Sequence, residues 1–486
     1  MMPSEEKYEK IYAASDESRF EPSYEVIKVL KELSNPENFD IFRRYQKYPE
    51  LIQALSKKYN LHKERVFLES GIIGIIHRVF DYMINSGSSV LLPEFGYPYY
   101  FNLAKHHNSK IMTFKFNNIN DIFSYNIEDL INKIKEGPNV IVIIDPEQPL
   151  GFSIKEEDLR KILENVNKDQ LVVLDQAHEG FSETNIKNIN NLLEEFPNLL
   201  IARGFSKLYG IAGIRVGYAL CGQNVKNIIN FNERYLGFDN IAQKLAIAIL
   251  NSEEHYKKIA QIIREQKAIF KEKIEKLPNY KFFDTDSGSI LIEVPENQIE
   301  FIEKEAKEIG IEIRRIKDYS NIKKYPQFKN WYKITIGPKE HNDKIIDLFN
   351  SVSWLYNVEV NNQEVKKIFH TREGGYTVNR IEIPCEKIGI LMGFNKVLVP
   401  PDKEVSAHKH LLQDEIFEFY SEAQVIVNEE VINVNAGSII VLKPGDIHSI
   451  KALENKFARF TALRFPYSHE DKYNVNGEAV IHERKI

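Results

Sequence analysis

Gly204-Phe205-Ser206-Lys207-Leu208-Tyr209-Gly210-Ile211-Ala212-Gly213-Ile214-Arg215 sets an amine and a permanent cation eight residues apart. An amine can bond covalently to an aldehyde, and a fixed guanidinium close by can hold a dianionic phosphate. A lone lysine carries no such meaning, so the weight falls on the surrounding chain. Ser89-Val90-Leu91-Leu92, Val140-Ile141-Val142-Ile143-Ile144 and Leu171-Val172-Val173-Leu174 are short apolar runs suited to strands buried on both faces. Amphipathic stretches at 127–135 and 156–165 lie between them. This alternation predicts an α/β domain with a mainly parallel sheet. Residues 247–277 predict a long helix into a smaller domain, with strands near 289–294 and 332–336.

At 486 residues the chain exceeds one ordinary domain, and 43% hydrophobic with 28% charged residues is a globular composition. Its 64 basic and 70 acidic side chains leave a net charge of −6, which argues against nucleic acid or an anionic membrane as partner. Cys221 and Cys385 stand far apart in apolar settings, which fits a reducing compartment without a disulfide framework. The first residues lack the apolar core of a signal peptide, and no apolar run reaches membrane-spanning length. A soluble, cytoplasmic protein is expected.

The texture changes after Val352. From Lys387 onward the segments 388–399, 416–427, 438–442 and 457–465 are short, alternating and β-rich. Pro400-Pro401-Asp402, Asn428-Glu429-Glu430 and Pro444-Gly445-Asp446 separate them, a spacing that predicts an all-β sandwich or small barrel. The expected organisation is a first region at 1–352, with a large domain at about 36–265 and a small one from 1–35 and 266–352. A linker and lead-in then fill 353–386, and a β domain fills 387–486.

Asp175 follows the run 171–174, at the strand end where parallel sheets place their ligands. A carboxylate there can keep a pyridine nitrogen protonated, though alone it reads as a helix cap. Ser70-Gly71-Ile72-Ile73-Gly74 opens a helix running through His77 to Met83, and its free N–H groups suit a phosphate. In Pro93-Glu94-Phe95-Gly96-Tyr97, Phe95 can stack on an aromatic ring, but Phe95 and its neighbours Tyr97, Tyr99 and Tyr100 can equally be core residues, the reading that fits most of them.

In this order the motifs resemble the fold-type I pyridoxal-phosphate aminotransferases, most closely the histidinol-phosphate aminotransferase branch, over roughly residues 10–350. The resemblance implies that Lys207 bonds the cofactor and shuttles the proton between it and the substrate carbon. It implies that Ser206, Arg215 and the amides of Gly71, Ile72 and Ile73 hold phosphate, that Asp175 pairs with the ring nitrogen and that Phe95 stacks on the ring. Tyr45, with Tyr48 as runner-up, would reach the phosphate across a homodimer interface. The departures are as informative. Asp145-Pro146-Glu147-Gln148-Pro149-Leu150-Gly151 puts Gln148 where the family's asparagine donates to the ring oxygen, its amide shifted by about a bond length. Asp175-Gln176-Ala177-His178 puts His178 in place of a tyrosine, able to donate to the same oxygen when neutral. Gly204 replaces a hydroxyl residue. Tyr332-Lys333-Ile334-Thr335-Ile336-Gly337 carries Lys333 where an arginine usually binds the substrate's anion, with the charge kept and the fork lost. Arg314 is a second anion-binding candidate. The expectation is an aminotransferase for a small amine or amino acid, phosphorylated forms included. Decarboxylation of a phosphorylated amino acid, as in the phosphothreonine decarboxylases of this branch, is the alternative.

His408-Lys409-His410, Glu415, Gly437 and Pro444-Gly445-Asp446-Ile447-His448 form a second constellation. Strand positions two apart share a face, so His408 and His410 can converge with Glu415 and His448 on one divalent metal. The pattern resembles both cupin motifs, over about 387–465, and its mixed ligands suit Fe, Mn, Ni or Zn. It implies a second enzyme (isomerase or dioxygenase) or a non-catalytic module. A further alternative gives the main function to this metal site, with the larger region as a degenerate scaffold. His106, His107 and His469 read as surface residues.

Overall fold

Val140–Ile144 and Leu171–Asp175 bury every residue, as strands covered on both faces must. The computed structural model describes residues 10–45, 50–119, 121–182, 186, 188–228, 237–318, 325–357, 366–372, 374–385, 390–468 and 471–480; Tyr48 and His469 lie outside them. The two runs occupy the middle of a seven-stranded sheet ordered Val66–Glu69, Gly217–Cys221, Leu199–Gly204, Leu171–Asp175, Val140–Ile144, Ser89–Pro93, Lys110–Phe114. The last five are parallel, while Gly217–Cys221 runs antiparallel to both neighbours. Ile144, Asp175 and Ala202 are in register, so the turn from Asp145, the Asp175 carboxylate and the segment leading to Lys207 emerge at one edge.

Helices cover the sheet where the amphipathic spacing demands. Ile127–Lys135 starts on Asn126, whose side chain accepts from the Asp129 amide. The single helix expected over 247–277 is two, Asn240–Leu250 and Glu253–Ile274. Ser252 lies at the break and its hydroxyl donates to the Ala248 carbonyl at 2.8 Å, a local bond that competes with helix continuation.

The smaller domain carries the antiparallel strands Lys281–Phe283, Ser289–Glu293, Trp331–Thr335 and Arg314–Arg315. Ile11–Tyr12 pairs in parallel with Ile311–Glu312, and the Thr335 amide donates to the Ala13 carbonyl at 2.9 Å. The chain after Tyr12 is thereby laid along the end of the strand that bears Lys333.

The C-terminal region is all-β. Sheets of six and five strands enclose one apolar core, with Phe417 and Phe460 from one sheet and Val425 and Ile450 from the other. Within the linker and lead-in expected at 353–386, the described residues include regular elements. Helix Lys339–Tyr356 runs through position 353, and Lys366–Thr371 and Thr377–Cys385 are strands of the six-stranded sheet. Polar Asn379 masks that role in the sequence. It is fully buried because its amide donates to the Leu355 carbonyl at the end of that helix. No helix among the described residues is long and apolar enough to cross a membrane.

Candidate functional site

Asp175 closes its strand 6% exposed, accepting from the Tyr100 hydroxyl at 2.7 Å and the Ala177 amide at 3.0 Å. Burial pushes its carboxyl above the ordinary value, against those donors and Lys207. The adjacent strand Leu199–Gly204 leads directly into Phe205-Ser206-Lys207. Burial lowers the basicity of the Lys207 amine, opposed by Asp16 and assisted by Lys333. A larger fraction of it is therefore the unprotonated nucleophile.

Helix Gly71–Met83 begins at Gly71 with φ 72°, and the Ser70 side chain does not cap it. Its first N–H groups are left to attract an anion. Arg215, itself left-handed at φ 58°, lays its guanidinium against this start: a methyl added to Gly71 would lie 2.7 Å from Arg215 Nη2. Gly217 closes the contact from the neighbouring strand, since a methyl there would lie 2.6 Å from the Gly71 carbonyl carbon. A helix N-terminus and a guanidinium thus meet beside Ile72 and Ile73. Gly204 abuts Ile72 and has no hydroxyl to offer.

Gln148 and His178 belong to a chain of contacts that starts from Lys333. Lys333 Nζ lies 2.5 Å from Gln148 Oε1 and 2.7 Å from Asp16 Oδ1, and His178 Nε2 lies 3.9 Å from Asp16 Oδ2. Gln148 Nε2 and His178 Nδ1 are buried without partners among the described residues. Burial pushes His178 down to about 3, so the ring is neutral near pH 7 and one nitrogen carries a proton. An unsatisfied buried donor costs about 1–3 kcal/mol. Orphaned nitrogens, a poised lysine, a buried carboxylate and an anion cradle suit the polar edge of pyridoxal phosphate.

The other predicted residues are placed as follows. Lys333 is 2% exposed and is spent on Asp16 and Gln148, so it has no charge to spare for a substrate anion. The Asp16 carboxyl stays well below its ordinary value, because Lys333, His178 and Lys207 outweigh its burial. Arg314, the second anion candidate, is exposed and donates to the Asp318 carbonyl at 3.0 Å. Phe95 is a core residue, stacked on Phe116 at 4.7 Å and edge-on to Tyr325 and Phe328. Tyr45 is 72% exposed. Arg19 has no motif to announce it. It donates to the Thr335 carbonyl and packs on Gly337, where a methyl would lie 2.6 Å from its Cζ. Its Nε and Nη1 are buried without partners among the described residues.

In the β region His408, His410, Glu415 and His448 are all buried, with one ligand atom from each within 4.8 Å of the others. Each imidazole has its Nδ1 against a backbone carbonyl: His408 on Ser406 at 2.8 Å, His448 on Asp446 at 3.2 Å, His410 on Asp471. Those contacts place the proton on Nδ1 and turn the Nε2 lone pairs toward the cluster. Glu415 accepts from Arg464 Nε at 2.6 Å through Oε1 and presents Oε2 to His410 and His448 at 3.4 and 3.1 Å. His410 follows the strand Glu404–Lys409, and a register shift between Val405 and His408 aids the convergence.

Residues 9–349 match the family described as aminotransferase class I and II, and the chain belongs to that family, whose members are pyridoxal-phosphate-dependent. Histidinol-phosphate aminotransferase of Thermoanaerobacter sp. (strain X514) is 26% identical over 340 residues, covering 68% of this chain and 90% of the relative. The fold matches the crystal structure of histidinol-phosphate aminotransferase from Sinorhizobium meliloti in complex with pyridoxal-5'-phosphate, with TM-score 0.61 and 20% identity over 71% of this chain and 91% of that one. It also matches L-threonine-O-3-phosphate decarboxylase from Porphyromonas gingivalis, with TM-score 0.56 and 14% identity over 70% and 98% of the two chains.

The turn that carries Gln148 holds a second titrating group. Glu147 is fully buried, accepts from the Leu150 amide at 3.1 Å, and is pushed up to about 8 by burial. The unfolded chain releases this proton near 4.5 while the folded chain retains it. Stability should therefore fall as pH rises from about 4.5 through about 8. Glu147→Gln should flatten that fall and add about 3 kcal/mol near pH 7. Urea unfolding of both proteins across this range checks it, and identical pH slopes would refute it.

Proposed function

We propose that this aminotransferase moves the amino group of a small amine or amino acid, phosphorylated forms included, to a 2-oxo acid. The observation that carries the reading is the unprotonated-leaning Lys207 amine set between buried Asp175 and the Gly71–Arg215 anion cradle. Pyridoxal phosphate, when bound, supplies the electron sink for negative charge at the substrate carbon. Arg215, Ser206 and the amides of Gly71, Ile72 and Ile73 would hold its phosphate, Asp175 its ring nitrogen, and Gln148 and His178 its ring oxygen. In a homodimer, Tyr45 of each copy would reach the other's phosphate. The weakened basicity of Lys207 suits a group that takes a proton and gives it back at Nζ. Neutral His178 can donate to that ring oxygen without adding a charge. Arg19, with two buried nitrogens that have no partner among the described residues, takes over the substrate anion in place of Lys333.

The C-terminal region reads as a cupin barrel that holds a divalent ion (Fe, Mn, Ni or Zn) through His408, His410, Glu415 and His448. The four converging buried ligands and their carbonyl-fixed tautomers support this assignment.

Purified protein given pyridoxal phosphate should absorb visible light near neutral pH, and Lys207→Ala should lose the band. A colourless wild type would overturn the reading. Phosphorylated amino acids should react only with a 2-oxo acid present, whereas carbon dioxide release without one identifies a decarboxylase. Elemental analysis should find about one divalent ion per chain, and His448→Ala should weaken metal affinity roughly tenfold or more. Protein grown with ample metal that still carries none would refute the metal assignment.

A further inference from the structure

Tyr100 is a core residue whose side chain ends in a polar contact. It is 2% exposed on the helix Pro98–His106, and its ring belongs to the apolar core that also holds Phe80, Leu92 and Val142. At the far end of that ring the hydroxyl donates to Asp175 Oδ2 at 2.7 Å. The strand Ser89–Pro93, which leads to this helix, is two places from Leu171–Asp175 in the sheet order, so the bond joins separate elements. A phenol suits this position because its body is apolar and only its tip needs a partner.

The bond changes what Asp175 can do. Its other oxygen, Oδ1, accepts from the Ala177 amide at 3.0 Å, so the carboxylate takes one donor on each oxygen. Each oxygen has a second lone pair, which leaves room for a third donor. Burial pushes the carboxyl up, toward its neutral form, while Tyr100, the Ala177 amide and Lys207 oppose it, with Tyr100 foremost. The Tyr100 hydroxyl is itself held well above its ordinary value by burial and by Asp175, so it stays a donor. A proton between a carboxylate and a pyridine nitrogen settles on the stronger base. Donors to the carboxylate weaken it as a base and leave the proton on nitrogen. The protonated ring is the form that withdraws electrons.

We propose that Tyr100 is a positioning residue that acts through Asp175. Its donated hydrogen bond keeps the carboxylate ionised and the proton on the ring nitrogen of bound pyridoxal phosphate. Tyr100 can act this way only because Asp175 is assigned to that nitrogen, so the role rests on the function proposed for the site. A buried hydroxyl that merely needed an acceptor would act on stability alone.

The test is solid-state NMR of the full chain loaded with pyridoxal phosphate isotopically labelled at the ring nitrogen. That resonance separates the protonated from the unprotonated ring, and Asp175→Asn supplies the reference without a carboxylate. Wild type should show a protonated ring and Asp175→Asn an unprotonated one. Tyr100→Phe keeps the aromatic ring and removes the donor. It should move the resonance toward that of Asp175→Asn, a shift of roughly tenfold or more in the proton's distribution. Tyr100→Met is a second variant should Tyr100→Phe not fold, since its flexible chain fills irregular core space. An unchanged resonance in the folded variant, even with lowered resistance to urea, would overturn the role of Tyr100 and leave the Asp175 assignment standing. A wild-type resonance matching that of Asp175→Asn would overturn both.

Discussion

The buried contact of Lys333 with Asp16 and Gln148 ties together three parts of the aminotransferase region: the N-terminal segment, the smaller domain's sheet and the turn after Val140–Ile144. A buried ion pair gains little over an apolar pair of the same shape, yet removing one member strands a charge at a cost of about 3–5 kcal/mol. Such a pair acts as a positional device. It depends on Ile11–Tyr12 joining Ile311–Glu312, which feeds residues 13–19 past Thr335. From it follow the orientation of the Gln148 amide, the ionised state of Asp16 and the field around Lys207 and His178.

That field gives neighbouring groups different protonation. Asp16 remains charged because three cationic or titrating neighbours outweigh its burial, whereas His178 remains neutral because burial outweighs Asp16. Lys207 is less basic than a free lysine, and burial pushes the carboxyls of Asp175 and Glu147 up. The cluster near His408 applies the same physics with the opposite balance. There, second contacts to carbonyls and to Arg464 direct three nitrogens and one oxygen at a common point.

Much of this is legible along the chain because it is local. Fully apolar runs become the buried parallel strands, and the motifs at Lys207, Arg215, Asp175 and Gly71 lie at strand ends and a helix start. The four residues of the metal-ligand pattern meet in space. What escaped sequence reading depends on distance along the chain or on a single hydrogen bond. Asp16 neutralises Lys333 from 317 positions away. Arg19 belongs to no motif, Phe95 is claimed by Phe116 and Tyr325, and buried Asn379 makes a strand look like a linker.

The central claim is that Lys207 is the residue to which the cofactor is joined. Borohydride reduction of protein loaded with pyridoxal phosphate, followed by proteolysis and mass mapping, tests it most directly. The account predicts one modified peptide with the pyridoxyl group on Lys207. A modification on another lysine, or none after loading, would contradict it.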